Sequence, residues 1–354
     1  MTEHRYAVNA RFVTQSLTGI QRYCYELALR LRNGSLLAPS AALEDYKGVQ
    51  GRVNVTGGYL GGHPWEQFAL PLAVPRRQAL FSPAGCGPLA HLNQVITIHD
   101  LAPLENPEWY SPGFALWYSR LLPVLARRVR NIVTVSEFCK QRIVERLRVD
   151  ERKVTVAWEA ASSVFSPRSA DETQSVFDSF GIRKPYFLFV GAVSGRKNLP
   201  RLLAAWNRVV DRLNGASLVM VGKTGLRFAD KGALGALPKQ VMQLGSVNDQ
   251  DLACLYTAAQ GLLYPSLYEG FGLPILEAMA CGCPVLTSSC TAMPEVAGDS
   301  AIIVDALSED AIASGIRELM DENRAADLRR RGFRRCRDFS WERTAQIVET
   351  ALLS

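Results

Sequence analysis

The chain has 354 residues, of which 48% are hydrophobic and 21% are charged, and its formal net charge is +6. This length favours two domains over one hydrophobic core, and the composition is that of a globular protein in water. The first residues lack the apolar stretch of a signal peptide, no apolar run is long enough for a transmembrane helix, and basic stretches interleaved with aromatic residues are missing, so we expect a cytoplasmic protein that binds no nucleic acid.

The predicted elements alternate between short apolar strands and amphipathic helices. Strands are predicted at 53–55, 79–81, 95–98, 131–135, 154–156, 186–190, 217–221, 243–244, 261–264, 284–287 and 301–304. Helices are predicted at 19–32, 111–128, 137–147, 200–212, 249–259, 275–281, 310–320, 322–333 and 340–352. This alternation indicates an α/β protein whose parallel sheets are covered by helices on both faces.

A polar, turn-rich stretch between Ser162 and Lys184 separates two such series, and a new buried strand, KPYFLFVGA, follows it. We therefore predict two doubly wound, Rossmann-like domains that face a central cleft, residues 1–165 and residues 175–338. Ligands of such sheets bind at the carboxyl ends of the strands, so the active site is expected there.

The stretch SLYEGFGLPILEAMACGCPV, residues 266–285, carries Glu269 in a loop and Glu277 about one turn into a helix. Pro274 suits the first turn of that helix, and the glycines before it allow backbone N–H groups to approach a ligand. A helix N-terminus with such an entry binds anions, and a carboxylate can bind ribose or sugar hydroxyls. The alternative is a tight turn whose acids only cap the helix.

Two adjacent cations follow another predicted strand. In FLFVGAVSGRKNL, Arg196 and Lys197 lie just beyond the strand end. Arg supplies a forked donor and Lys a compact charge, which together fit a diphosphate. The alternative is an ordinary exposed loop between a strand and a helix.

Two further candidates lie in the first half of the chain. His99 and Asp100 follow the strand of VITIHDL, where a histidine can bind a sugar hydroxyl or a carbonyl. The alternative is that His99 and Asp100 form a structural pair. Gly19 begins a helix in TGIQRYCYEL, where a Thr-Gly turn can present N–H groups to a phosphate or an acceptor oxygen, or can simply start a core-facing helix.

Eight cysteines are scattered without a C-x-x-C pair, which favours free thiols and no metal site. The basic residues concentrate in ARRVRN, KQRIVERLR and RRRGFRRCR. Such runs are either solvated helix faces or surfaces attracted to anionic lipid headgroups or phosphorylated substrates.

These segments together resemble the retaining glycosyltransferases of family 4, which have the GT-B fold. SLYEGFGLPILEAMACGCPV is similar to the E-x7-E motif of that family, and TGIQRY is similar to its N-terminal glycine loop. HPWEQFALP and VITIHDLAPLENPEWYS resemble bacterial mannosyl- and rhamnosyltransferases of the family. The resemblance covers nearly the whole chain, and it implies that the C-terminal helix, residues 340–354, packs back on the N-terminal acceptor domain.

The resemblance also implies a role for each candidate residue. Arg196 and Lys197 would bind the donor diphosphate and stabilise the leaving group, Glu269 would face the donor sugar, and His99 would lie near its anomeric centre. The other implied contacts are Glu277 to the ribose, the Val247 backbone to the base, Gly19 closing the site, and the backbone of Gly270, Phe271, Gly272 and Leu273 near sugar and phosphate.

The implied reaction is transfer of a hexose or deoxyhexose with retention, without a cofactor or a metal. The implied donor is a nucleotide diphosphate sugar, GDP-mannose or a GDP-deoxyhexose such as GDP-rhamnose. The implied acceptor is a growing surface saccharide or its lipid-linked form, with the basic N-terminal helices at the inner membrane leaflet.

Two other functions are compatible with the same fold. A sugar-nucleotide epimerase would need additional acid and base groups near the sugar. A catalytically silent relative would have lost some of the candidate residues, all of which are present. One stretch, AWEAASSVFSP, departs from the family pattern at Trp158 and Glu159.

Overall fold

The structure, a computed structural model, describes residues 5–222 and 237–354. Its strands are β1 (Tyr6–Asn9), β2 (Gly34–Ala38), β3 (Val53–Val55), β4 (Ala79–Ser82), β5 (Gln94–Ile98), β6 (Asn131–Thr134), β7 (Val154–Val156), β8 (Tyr186–Val190), β9 (Ser217–Val221), β10 (Val241–Gly245), β11 (Gly261–Tyr264), β12 (Val285–Ser288) and β13 (Ile302–Val304). The strands pair in parallel. Crossover connections between them bring the chain back to the end of the sheet at which the previous strand began.

The longer helices span Gly19–Arg30, Pro112–Arg128, Glu137–Leu147, Ala170–Phe180, Leu199–Val209, Asp249–Ala258, Leu273–Ala280, Met293–Ala297, Glu309–Glu318, Glu322–Arg335 and Trp341–Leu353. Shorter helical pieces include Gly62–Pro64, a π-helical turn at Trp65–Ala69, Leu70–Ala73 and Ala102–Glu105. Within the described ranges, none of the helices has the length and apolar character needed to cross a bilayer.

The described chain divides into two compact units. The N-terminal unit comprises residues 1–104, 116–159 and 340–354, and its described strands form one sheet in the order β3-β2-β1-β4-β5-β6-β7. Buried side chains such as Ile96, Leu125, Ile132 and Ile143 pack between β5, β6 and the helices Pro112–Arg128 and Glu137–Leu147. The sheet is thereby buried on the faces that the apolar strand sequences predict.

The C-terminal unit comprises residues 105–115 and 160–339. Its described strands form a sheet in the order β10-β9-β8-β11-β12-β13. The core includes Phe187 and Trp206, whose rings meet edge to face with centroids 5.9 Å apart. Aromatic pairs typically have centroids about 4.5–7 Å apart. The order of strands reverses between β8 and β11, and ligand sites form beside such a reversal.

The last helix, Trp341–Leu353, belongs to the N-terminal unit. Glu349 accepts a hydrogen bond from the Tyr6 hydroxyl at 2.9 Å, and Arg130 donates to the carbonyl oxygens of Ala351 and Leu352 at 2.9 and 2.6 Å. A basic side chain on the last carbonyls satisfies acceptors that a helix end leaves unpaired. The C-terminus is therefore fastened to the two strands β1 and β6.

The parallel α/β architecture predicted from the alternation is confirmed, and most predicted elements match within three residues. The sequence reading missed β1 and β2. It also missed the helix Ala170–Phe180, which lies within the polar stretch 162–184. That helix has a capping box, in which Ser169 and Glu172 satisfy each other's backbone N–H groups. The S-x-x-E spacing in the sequence indicates such a helix start.

Candidate active site

The loops that carry the candidate cations and the first glutamate start at neighbouring strand ends. β8 and β11 pair in parallel, with Leu262 opposite Leu188, so residues 191–198 and 265–272 leave the same edge of the sheet. The Leu267 N–H donates to the Arg196 carbonyl at 2.7 Å, and the Asn198 side chain donates to the carbonyls of Pro265 and Ala306 at 3.0 and 2.6 Å. These hydrogen bonds fix the positions of the two loops relative to each other.

Glu269 is clamped between both cations. Its Oε1 lies 2.7 Å from Lys197 Nζ, and its Oε2 lies 3.3 Å from Arg196 Nη1. Lys197 also donates to the Tyr264 hydroxyl, and the Glu269 N–H donates to Thr291 Oγ1 at 3.1 Å. Lys197 and Glu269 are buried, whereas 24% of the Arg196 side chain is exposed, so the cluster reaches solvent through the guanidinium.

The charges in this cluster are set by burial and by one another. Burial lowers the pKa of Lys197 to about 8, against the opposing attraction of Glu269. Burial alone would raise the pKa of Glu269, but Arg196 and Lys197 outweigh burial and hold that pKa below its ordinary value. At neutral pH the cluster therefore carries two cations and one anion, and its net positive charge favours an anionic ligand.

The approach to Lys197 depends on a glycine. Gly191 has a φ of +150°, and a Cβ placed there would lie 2.9 Å from Lys197 Cε. A larger residue would displace the ammonium group from Glu269. The absence of a side chain at this strand end is therefore what allows the lysine to fold back over β8.

Glu277 lies on the helix Leu273–Ala280, one turn from its start. The helix is entered through Gly272 at a φ of +106°, with Pro274 in the first turn and without a side-chain cap on its N–H groups. Glu277 is buried and accepts a hydrogen bond from the Tyr256 hydroxyl at 3.3 Å. The arrangement presents backbone N–H groups and a fixed carboxylate from one element.

The residues between the two glutamates are packed against the unit. Gly270, Phe271 and Leu273 are buried, and the Phe271 ring meets Phe339 edge to face at 5.7 Å. The packing of Phe271 against Phe339 fixes the position of this segment. Val247 is half-buried in the loop between β10 and the helix Asp249–Ala258, at the carboxyl edge of the same sheet.

That helix begins with an Asp-x-Asp spacing, Asp249 and Asp251, which in other proteins can bind a divalent cation. Here Asp251 exchanges hydrogen bonds with Asn248, whose side chain accepts from the Asp251 N–H at 2.9 Å and donates to its carboxylate at 2.8 Å. Asn248 therefore caps this helix, and Asp251 takes part in the cap.

The segment 105–115 adds side chains to this unit that the sequence reading did not foresee. Tyr268, next to Glu269, donates to Glu105 at 3.0 Å. The Trp109 ring packs over Gly195, where a Cβ would come within 2.6 Å of the indole. Both contacts brace the loops on either side of the Lys197–Glu269 pair, and their long sequence separation hid them.

In the N-terminal unit, His99 lies at the end of β5 and is buried. Its Nε2 lies 2.8 Å from the Pro83 carbonyl, its Nδ1 lies 3.5 Å from Glu159, and its ring meets Tyr23 edge to face at 4.7 Å. Asp100 accepts a hydrogen bond from the Ala102 N–H at 2.9 Å. The carboxylate paired with His99 is thus Glu159, which the sequence reading noted only as a departure from the family pattern.

Gly19 is the first residue of the helix Gly19–Arg30 in the same unit. It is exposed, its φ is not positive, and a Cβ placed there would meet nothing within 4 Å. Neither backbone strain nor packing against the described residues requires a glycine at this position.

Two family profiles match the chain. Glycosyl transferases group 1 matches residues 173–335, and Glycosyltransferase Family 4 matches residues 17–158. The O-antigen chain mannosyltransferase B of Escherichia coli is 30% identical over 362 residues, which cover 94% of this chain and 95% of that protein. The O-antigen chain mannosyltransferase RfbU of Salmonella typhimurium is 28% identical over 64% of this chain and 61% of its own.

Solved structures match over the full length of the chain. HepE of Anabaena, in complex with UDP and glucose, superposes with a TM-score of 0.76 at 14% identity, covering 99% of this chain and 100% of that one. WaaG, a glycosyltransferase involved in lipopolysaccharide biosynthesis, gives a TM-score of 0.70 at 15% identity and 98% coverage of both chains. The predicted GT-B fold is confirmed, and the chain belongs to glycosyltransferase family 4.

Proposed function

We propose that this glycosyltransferase moves mannose, or a related deoxyhexose such as rhamnose, from a GDP-linked donor to a growing surface saccharide, with retention of configuration. The names of its similar relatives, O-antigen mannosyltransferases of Escherichia coli and Salmonella typhimurium, support the sugar and the acceptor class. The site residues of this chain support the chemistry.

The observation that carries the proposal is the buried Lys197–Glu269–Arg196 cluster. Negative charge grows on the diphosphate as it leaves the sugar, and preorganised cations in a site with little water stabilise that charge strongly. Lys197 is held ready by Glu269 and Tyr264, and Arg196 adds a second cation that reaches solvent. These two cations fulfil the role that a divalent metal has in other transferases, so no metal is required in our proposal.

We assign the remaining residues to the other parts of the donor: the ribose, the base and the sugar. Glu277, fixed by Tyr256, binds the ribose hydroxyls, and the N–H groups at the start of its helix face the phosphates. The Val247 backbone contacts the base. His99 contributes to the sugar end of the site, with its ring oriented by Glu159 and Pro83.

Retention is proposed to come from attack on the face from which the diphosphate departs. Glu269 is paired to two cations and its pKa is depressed, which makes it a poor nucleophile and a poor general acid. The leaving phosphate is then the base that takes the acceptor proton. Glu269 accepts hydrogen bonds from sugar hydroxyls and keeps Arg196 and Lys197 in position.

The donor assignment is tested with a panel of GDP-, UDP-, ADP- and dTDP-sugars, each assayed by thermal shift and by sugar transfer or hydrolysis. GDP-mannose or a GDP-deoxyhexose should stabilise the protein and be turned over. Lys197→Ala and Glu277→Ala should each lose about 10²–10³-fold in turnover, the cost of removing one preorganised charge contact.

Lys239→Ala is a matched control, because Lys239 is an exposed lysine of the same unit that pairs with Asp211. It should keep wild-type turnover. Near-wild-type turnover in Lys197→Ala or Glu277→Ala would contradict the site. Turnover with another nucleotide would correct the donor alone, and no response to any nucleotide sugar would favour a catalytically silent protein.

A further inference from the structure

A cluster of metal-ligand side chains lies in the N-terminal unit and is not used by the proposed reaction. Within the described residues, His63, Glu66 and Cys86 place their ligand atoms within 4.8 Å of one another. Glu66 Oε2 lies 3.2 Å from His63 Nδ1 and 3.0 Å from Cys86 Sγ, and Sγ lies 4.0 Å from Nδ1.

The local fold brings these side chains together. His63 and Glu66 are three residues apart on the helical segment 62–73, so they share one face, and a π-helical turn begins at Trp65. Cys86 comes from the loop after β4, whose neighbour in the sheet is β1. π-helical turns are rare and occur often at functional sites, which gives this segment a reason to depart from regular helix.

The distances between the three ligand atoms are close to those around a tetrahedral zinc ion. With zinc–ligand bonds of about 2.0–2.3 Å, neighbouring ligand atoms lie about 3.3–3.6 Å apart. The observed separations of 3.0, 3.2 and 4.0 Å fall on either side of that range, each within about 0.4 Å of it. Imidazole nitrogen, thiolate sulfur and carboxylate oxygen are all zinc ligands, whereas a thiolate disfavours magnesium and calcium.

The second oxygen of the carboxylate is held from behind. Glu66 Oε1 accepts from the Asn9 side chain at 2.6 Å and lies 3.5 Å from Arg11 Nε, so the other oxygen is directed at His63 and Cys86. Outer contacts of this kind orient metal ligands and strengthen binding. Arg11 Nη2 also lies 3.8 Å from Cys86 Sγ. A zinc ion that replaces the thiol proton would be met by the two negative charges of Glu66 and the Cys86 thiolate.

We propose that His63, Glu66 and Cys86 bind one zinc ion. Glu66 and Cys86 are fully buried, whereas 36% of the His63 side chain is exposed, which supplies an entry path and an open fourth position for water. The ion would join the loop after β4 to the helical segment 62–73. All of its ligands lie in the N-terminal unit, and it takes no part in binding the donor diphosphate.

The test uses the full chain, freed of metal by chelation and then titrated with Zn²⁺ or Co²⁺. We expect stoichiometric Zn²⁺ by elemental mass spectrometry, and a thiolate-to-cobalt charge-transfer band after Co²⁺ is added. Cys86→Ser should abolish the band, and His63→Ala should weaken Zn²⁺ binding at least about tenfold. Cys24→Ala, which removes another buried thiol of this unit, should keep the band.

Circular dichroism of each metal-free variant shows whether it is folded before titration. The proposal is overturned if the wild-type protein binds neither ion in stoichiometric amount, or if the cobalt band survives in Cys86→Ser. In the first case the three side chains form only a hydrogen-bonded cluster in which Glu66 accepts from the thiol and the imidazole.

Discussion

At the scale of single residues, the decisive feature is a buried lysine whose charge depends on its neighbours. Lys197 is deprived of water and is kept protonated at neutral pH by Glu269. A buried ammonium that lacked a carboxylate would lose its proton. The side chain therefore remains cationic only within a limited pH range, and that range sets when the site can bind an anion.

We expect kcat/KM for the donor to fall as the pH rises above about 8, because free enzyme then loses the Lys197 proton. A bound diphosphate raises the pKa of Lys197, so the corresponding fall in kcat should occur at higher pH. In Lys197→Arg the guanidinium stays protonated, and activity should be lower but independent of pH in this range. An unchanged alkaline fall in that variant would assign the titration to another group.

The same pKa shift has a consequence for stability. Between about 8 and the ordinary lysine pKa, the unfolded chain binds more protons at this position than the folded chain does. As the pH rises through this window, the free energy of unfolding therefore increases as far as Lys197 contributes to it, and the folded state becomes more stable. Loss of activity above pH 8 is consequently not expected to reflect unfolding caused by this group.

At the scale of elements, the strand ends and helix starts place the chemistry. β8 and β11 bring two loops to one edge, and the helix Leu273–Ala280 begins at that edge with its N–H groups uncapped by side chains. The helix Gly19–Arg30 begins in the other unit with an exposed glycine, where an added Cβ would meet nothing within 4 Å among the described residues. For the helix Gly19–Arg30, we predict that the turn at Gly19 contacts a ligand.

Gly19→Ala separates a structural role from a ligand contact. Because a Cβ there meets nothing and the backbone is not strained, we expect the free energy of unfolding to stay the same or rise by about 0.4–1 kcal/mol. Transfer should fall, by up to about 10²-fold, if donor or acceptor closes onto this turn. Thermal unfolding and steady-state kinetics measure the two effects.

Gly51→Ala is the matched control, since Gly51 is also in the N-terminal unit, has open space around its Cα and has no positive φ. It should affect the free energy of unfolding in the same way as Gly19→Ala does and should leave transfer unchanged. Full activity in Gly19→Ala would remove Gly19 from the proposed site.

At the scale of the whole molecule, the surplus of positive charge is unevenly compensated. In the run 329–337, Arg330 and Arg331 pair with Asp327, and Arg335 pairs with Asp338. The helix Pro112–Arg128 differs, because exposed Arg120, Arg127 and Arg128 accompany exposed apolar side chains, Leu116, Trp117 and Val124. Basic and apolar side chains on one helix suit the surface of an anionic membrane, and we propose peripheral membrane association through it.

We expect the protein to float with vesicles containing anionic lipid at low salt and to dissociate at high salt, where surface charges are screened. Changing Arg120, Arg127 and Arg128 to Gln should weaken binding by about 3 kcal/mol, at about 1 kcal/mol for each basic side chain near the surface.

Changing Arg330, Arg334 and Arg337 to Gln removes the same charge from the other unit and should leave vesicle binding nearly intact. Equal loss in both triple variants would show that net charge alone is responsible. An absence of vesicle binding by the wild-type protein at low salt would contradict the membrane proposal.

Much of this protein was determined by its sequence alone. The alternation of apolar strands with helices, Pro274 and the glycines before Glu277 are local signals, because hydrophobic period and backbone preference act over a few residues. Only the tertiary structure decided that Glu269 pairs with both Arg196 and Lys197, and that His99 pairs with Glu159. Those contacts join residues about 60–70 positions apart. They depend on the order and register of the strands, which local sequence preference does not encode.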